Sequence, residues 1–243
     1  MIRSEVMSKP IEIQNSKSQL LMNEIHLDNV TLKKFGRDPI LHSVSIALPT
    51  DQTLVIESSN HQNAVDFLQL IAGRLACESG QILWDGENIF NADNDLDINE
   101  VIACYFDGYI FDRHQNVEDF LAGSGFDFDA YDIFDQFEIK SIGITKLGNL
   151  PYAMCKLVLL IRAVLNSAQA LILEDPASGL SEHHWLQLMD LIQYQQRRGH
   201  FRHVYMTNHH PTALRHLAYN QIYIEDGLIY FDESAGYKKA SHF

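Results

Sequence analysis

Four apolar residues without alternation, Ala170 to Leu173, run directly into two carboxylates, Glu174 and Asp175, and then into Pro176 and a small-residue turn ending at Ser181. An unalternated run of this length suits a parallel strand covered on both faces. In open α/β sheets the chemistry sits outside the carboxyl ends of the strands. An acid pair at that place commonly holds Mg²⁺ and polarises a water against a nucleotide phosphate. The plainer reading is a strand that ends in a solvated acidic turn, and this stretch alone does not separate the two.

The 243 residues, 46% hydrophobic and 21% charged, suffice for one sizeable α/β domain with a full core and a subdomain. A formal net charge of -14 argues against a nucleic-acid surface. Cys77, Cys104 and Cys155 are scattered without metal-ligand spacing and read as reduced, buried thiols of a cytosolic protein. No apolar run is long enough to span a bilayer, and no secretory signal opens the chain.

Residues 1–23 are polar and aperiodic and are expected to form a loose tail, as is the segment 236–243. From Glu24 the pattern alternates as β structure, and it alternates again from Ile40 to Leu48; Thr53 to Ile56 is a second buried strand. After the polar loop 57–63, Val65, Phe67, Leu68, Leu70 and Ile71 recur at helical spacing up to Ala72-Gly73. Gly80 to Ile89 reads as a hairpin turning at Asp85-Gly86, where φ > 0 is needed. Residues 91–100 read as an acidic loop, and Val101 to Phe106 as a short strand. Residues 112–160 read as a small helical subdomain whose last helix has Pro151 in its first turn. An amphipathic helix from Ser181, its expected N-cap, stops at Gly199. His203 to Met206 is a further strand, and Gln221 to Phe231 a last hairpin turning at Asp226-Gly227.

In this order the chain from Ile25 to Phe231 resembles the nucleotide-binding domain of ABC transporters. The resemblance is carried by I-H-L-D-N-V-T-L-K-K-F-G at the start, I-A-G at 71–73, S-G-Q-I-L-W-D-G at 79–86, R-A-V-L at 162–165, L-I-L-E-D-P-A-S-G-L-S at 171–181 and T-N-H-H-P at 207–211. It implies a P-loop NTPase-like fold over 24–235: a mostly parallel core sheet, an antiparallel β subdomain and a small helical subdomain. It places Phe35 where the family stacks adenine, Glu174 and Asp175 at the Walker B end, and His209 at the switch position. The cofactor it implies is Mg-ATP.

Several positions depart from the family pattern. The phosphate loop, Ser58 to Asp66, contains no glycine to let backbone N–H groups turn inward. Asn63 precedes Ala64, which stands in the lysine position; Val65 takes the Mg²⁺-hydroxyl position, and Asp66 adds a negative charge. In the first turn of a helix, Asp66 would meet a favourable dipole and fill the electrostatic role of a phosphate. Ordinary capping by Asn60, Asn63 or Asp66 is the simpler account, and either excludes phosphate. The signature segment, expected as Ser-Gly-Gly-Gln, is Leu150-Pro151-Tyr152-Ala153-Met154, with no hydroxyl at Pro151 and no glycine at 152 or 153. Phe106 or Asp107 replaces the glutamine that links nucleotide to the membrane partner. The Walker B acids are reversed, and Asp175 is one methylene shorter than the usual base. Without a phosphate loop, His209 reads as a loop histidine. The remaining histidines, such as His183-His184 and His200 with His203, have no carboxylate or Cys arrangement that completes a metal site and read as surface residues.

The expectation is therefore a catalytically degenerate ABC ATP-binding subunit, cytoplasmic and held at the inner membrane through a partner. It would pair with another ATP-binding subunit, or with itself, beneath a transmembrane permease. G-Y-I-F-D at 108–112 and W-D-G-E-N-I at 84–89 loosely resemble the branch that powers MCE-type lipid transport. A soluble scaffold using the fold only for protein contacts, and an active ATPase with an unorthodox site, are the alternatives.

Overall fold

The computed structural model describes residues 24–34, 36, 38–49, 52–88, 91, 98–123, 130–166, 168–208, 219–232 and 237–239. Phe35 and His209 lie outside the described residues, as do the two terminal segments 1–23 and 240–243.

The alternating segments build a four-stranded antiparallel sheet from β1 (Ile25–Leu32), β2 (Leu41–Leu48), β4 (Ser79–Trp84) and β5 (Glu87–Asn88), in the order β2-β1-β4-β5. Its hairpin turns at Asp85 and Gly86, with φ of 50° and 86°, as the Asp-Gly pair requires. β3 (Gln52–Ser58), β6 (Ile102–Tyr105), β7 (Ala170–Leu173) and β8 (His203–Thr207) pair in parallel. β9 (Asn220–Glu225) extends β3 in parallel, and β10 (Leu228–Asp232) and β11 (Tyr237–Lys239) add antiparallel strands. The resulting seven-stranded order is β11-β10-β9-β3-β8-β7-β6. Tyr237–Lys239, expected within the C-terminal tail 236–243, forms an edge strand because β10 offers it an open ladder.

Among the described residues the α-helices are α1 (His61–Ile71), α2 (Ile98–Val101), α3 (Val117–Ala122), α4 (Ala130–Gln136), α5 (Tyr152–Leu165) and α6 (Glu182–Arg197). α2 starts inside the segment read as an acidic loop. Pro151 is the N-cap of α5, with φ -56° and ψ 148°, and not part of its first turn. It supplies no side-chain capping bond, whereas Ser181 caps α6 by accepting from the His184 N–H.

The core sheet separates two apolar clusters. Leu54, Ile56, Ala170, Ile172 and Tyr205 point toward α1 and the antiparallel sheet. Val55, Leu171, Leu173, Val204 and Met206 point toward α5 and α6. β7 reads as an unbroken apolar run because both of its faces are covered. The parallel strands leave their carboxyl ends on one side, where Ser58, Asp107, Glu174, Asp175 and Thr207 emerge.

Candidate functional site

At the end of β3, Asn60 caps α1: its side chain accepts from the Gln62 N–H at 3.2 Å, and its carbonyl accepts from the Asn63 N–H at 2.8 Å. Two of the first N–H groups are therefore already used within the chain. None of residues 58–66 has a positive φ, so the alternation of backbone hands that makes an anion nest is missing. Ala64 and Val65 are buried in the core. Asp66 is the sixth residue of α1, counted from His61, with no acidic residue in the first turn; neither it nor Asn63 caps the helix. Its fully buried carboxylate accepts from Lys34 Nζ at 2.7 Å and Gln62 Nε2 at 2.9 Å. Its Oδ2 and the Ser58 Oγ are buried without a hydrogen-bond partner.

The ends of β6, β7 and β8 are tied together. The Glu174 N–H donates to the Tyr105 carbonyl at 2.8 Å, and the Asp107 N–H donates to Glu174 Oε2 at 3.0 Å. The Asp175 N–H donates to Thr207 Oγ1 at 3.0 Å. Asp175 has φ of 40°, a left-handed backbone that Asp tolerates better than most residues. Lys156, the fifth residue of α5, buries its ammonium here; Nζ donates to the Asp175 carbonyl at 2.8 Å and lies 3.8 Å from Asp107 Oδ1. Burial pulls the Lys156 pKa down, and the nearby Asp107, Asp175 and Glu174 oppose that. Burial pushes the Glu174 carboxyl up, partly offset by the Asp107 N–H. Phe106 is buried in the core, so Asp107 is the polar group that stands at the end of β6.

The start of α5 completes the site. The Tyr152 hydroxyl is 3.5 Å from Asp107 Oδ1, and its ring packs on the turn after β7, where a Cβ on Gly179 (φ 76°) would lie 3.2 Å from the ring. A cleft of about 520 Å³ beside it is lined by Tyr105, Arg113, Tyr152, Cys155 and Lys156 among others.

The model of the family described as ABC transporter matches residues 41–178, more than half of the chain. The chain belongs to the ABC transporter family. Its similarity to curated ABC proteins is distant: 22% identity to the high-affinity branched-chain amino acid transport ATP-binding protein BraG of Pseudomonas aeruginosa, over 68% of this chain and 74% of that protein. It is 27% identical to the Fe(3+) ions import ATP-binding protein FbpC of Brucella melitensis, over 78% of this chain but only 55% of that protein, so it spans about half of that relative's length. It is 25% identical to the cytochrome c biogenesis ATP-binding export protein CcmA of Legionella pneumophila, over 76% and 93% of the two chains. Among solved structures, an ATP-binding subunit of an ABC transporter superposes with a TM-score of 0.70 at 15% identity, covering 84% of this chain and 87% of that one. A dimeric ATP-binding cassette in a post-hydrolysis state with ADP and Pi superposes with a TM-score of 0.69 at 16% identity, covering 90% of this chain and all of that one. The fold is the ABC nucleotide-binding domain.

Within that ABC fold, the structure brings together Glu174, Asp175, Tyr152 and Asp107, while Ala64, Val65 and Asp66 are buried in α1. Cys77, Cys104 and Cys155, expected as buried thiols, are only half-buried, and His203, expected at the surface, is fully buried in β8. Ala153 and Met154 continue the first turn of α5, both half-buried. A triphosphate with its magnesium does not fit the 58–66 loop: there is no ammonium at 64, no hydroxyl at 65, and a buried carboxylate at 66 already holding a cation. Among the described residues, no group of three or more His, Cys, Asp or Glu is placed to hold a metal ion. Lys34, Tyr105 and Lys156 were not legible as site residues. For Lys156 a signal existed: one lysine interrupts the apolar run of α5, four residues after Tyr152 and so on the same face.

Proposed function

We propose that this chain is a non-hydrolysing ABC subunit that pairs with a second ATP-binding subunit beneath a transmembrane permease, on the cytoplasmic face of the inner membrane. The observation that carries this reading is that Asp66, in the segment whose sequence position corresponds to the family's phosphate loop, is buried and paired with Lys34. A lysine in the loop and a hydroxyl after it are what grip the β/γ-phosphates and Mg²⁺; Ala64 and Val65 provide neither. The signature-equivalent segment supports the same conclusion, since Pro151 has no N–H or hydroxyl and Tyr152 turns back onto its own chain.

The partnership is supported by the transport systems named for the relatives and by the dimeric cassette of similar fold. No helix among the described residues is long and apolar enough to cross a membrane, so membrane attachment would come through a permease. Tyr109 and Ile110, the latter 92% exposed, stand on the loop after β6, next to a groove lined by Arg74, Phe120 and Arg162. That surface suits a permease segment. A lipid cargo rests only on the 84–89 and 108–112 segments.

The test is copurification of the native complex with identification of its subunits. Recovery of a permease and a second ATP-binding subunit is expected. Recovery of neither would favour the scaffold reading, and phosphate release by the isolated chain would favour an active ATPase.

A further inference from the structure

We infer that the Asp107 carboxylate is a latch that fastens the start of α5 and the 108–113 loop to the carboxyl ends of β6 and β7, holding them in place without any nucleotide. Four interactions converge on this residue. Its Oδ1 accepts from the Tyr105 hydroxyl at 2.8 Å, lies 3.5 Å from the Tyr152 hydroxyl and 3.8 Å from the Lys156 ammonium, and its N–H donates to Glu174 Oε2 at 3.0 Å. These partners come from β6, the first and second turns of α5, and the end of β7.

The latch is closed from behind. Lys156 bridges it to the β7 turn through the Asp175 carbonyl, with its ammonium 5.4 Å from the centre of the Tyr105 ring. Tyr152 covers Gly179 in the same turn, and the glycine is what permits that approach. A buried ammonium among three carboxylates supplies positive charge at a place that needs some counter-ion, and it does so from within the chain. The loop fastened in this way carries the exposed Tyr109 and Ile110, so the surface they form is presented permanently.

The inference rests on the proposed reading only in that no nucleotide is needed to order the site. Amide hydrogen exchange of the isolated chain tests it separately from any partner or turnover measurement. In the unsubstituted chain, the hydrogen-bonded amides of Asp107 and Tyr109 in segment 107–113 and of Cys155 in segment 150–156 are expected to be protected, with no change when millimolar Mg-ATP is added. Asp107→Ala is expected to raise exchange in both segments by about tenfold, the effect of losing a charge-assisted contact that closes a local unit, with β1 and β2 unchanged. Tyr105→Phe, which keeps the ring and removes only the hydroxyl, is expected to give a smaller rise in the same two segments and serves if Asp107→Ala fails to fold. Unchanged exchange in the folded variants would overturn the latch. So would acceleration spread equally over β1 and β2, or protection that appears only with Mg-ATP.

Discussion

The Lys34 ammonium lies 2.7 Å from a carboxylate oxygen of Asp66, and the two ends of this pair see different surroundings: the lysine side chain is 38% exposed, the aspartate fully buried. The pair joins the segment after β1 to the second turn of α1, 32 residues away. Removing the exposed partner strands a buried charge, while removing the buried partner returns a lysine to water. Lys34→Ala is therefore expected to cost about 2 kcal/mol and Asp66→Ala about 1 kcal/mol or less. Chemical denaturation of both variants checks the order; equal losses would mean that the pair is not what keeps Asp66 buried.

Lys156 has the opposite arrangement, a buried cation facing a half-exposed carboxylate. Lys156→Met keeps the apolar stem but removes the charged donor to the Asp175 carbonyl, which keeps the Ser178 N–H, and leaves three carboxylates without their internal cation. A loss of about 2–3 kcal/mol is expected, a fall in Tm of roughly 5–10 °C for a chain of this size. A Tm unchanged in thermal melts would remove Lys156 from the account.

Glu174 gives a pH-dependent outcome. Burial holds its carboxyl above the ordinary range, so the ionised form is disfavoured in the folded chain at neutral pH. That penalty is relieved as pH falls through the folded pKa, where the group takes up its proton. Glu174→Gln, which still accepts from the Asp107 N–H, is expected to raise Tm by about 1–2 °C at pH 7, with the gain shrinking toward pH 4. Melts across that range decide it; a gain that grows toward acid would reverse the sign argued here.

Much of this architecture was readable from local pattern. β7 showed itself as an unalternated run because it is covered on both faces, and Asp85-Gly86 and Asp226-Gly227 marked their hairpins through a backbone hand that few other pairs adopt. Ser181 and Gly199 fixed the ends of α6 for equally local reasons. The start of α1 was ambiguous because Asn60, Asn63 and Asp66 are all capable of capping; the chain uses Asn60, which moves Asp66 into the second turn and out of reach of the helix dipole. What closes the site depends on long-range partners, Lys34 with Asp66 and Asp107 with Tyr152 and Lys156, and no spacing rule within one element reveals those. β11 escaped notice because three polar residues become a strand only beside an open edge.

Restoring a single residue should restore little. Ala64→Lys would place a second ammonium in a loop without glycines, in a helix whose Asp66 already holds one, with Val65 still lacking a hydroxyl. Groups that act as a unit are not additive, so phosphate release by this variant is expected to match the unsubstituted chain. Release clearly above that background would show that the remaining groups form a competent site.

The central claim, that the phosphate site is filled by the chain's own charges, is tested most directly by titrating the purified protein with Mg-ATP in a calorimeter. Loss of the lysine and glycine contacts removes several charge-assisted bonds of roughly 1.5–3 kcal/mol each, against about 1 kcal/mol from stacking the base on one aromatic ring. The account predicts no binding heat up to millimolar nucleotide; a saturable isotherm with micromolar affinity would contradict it.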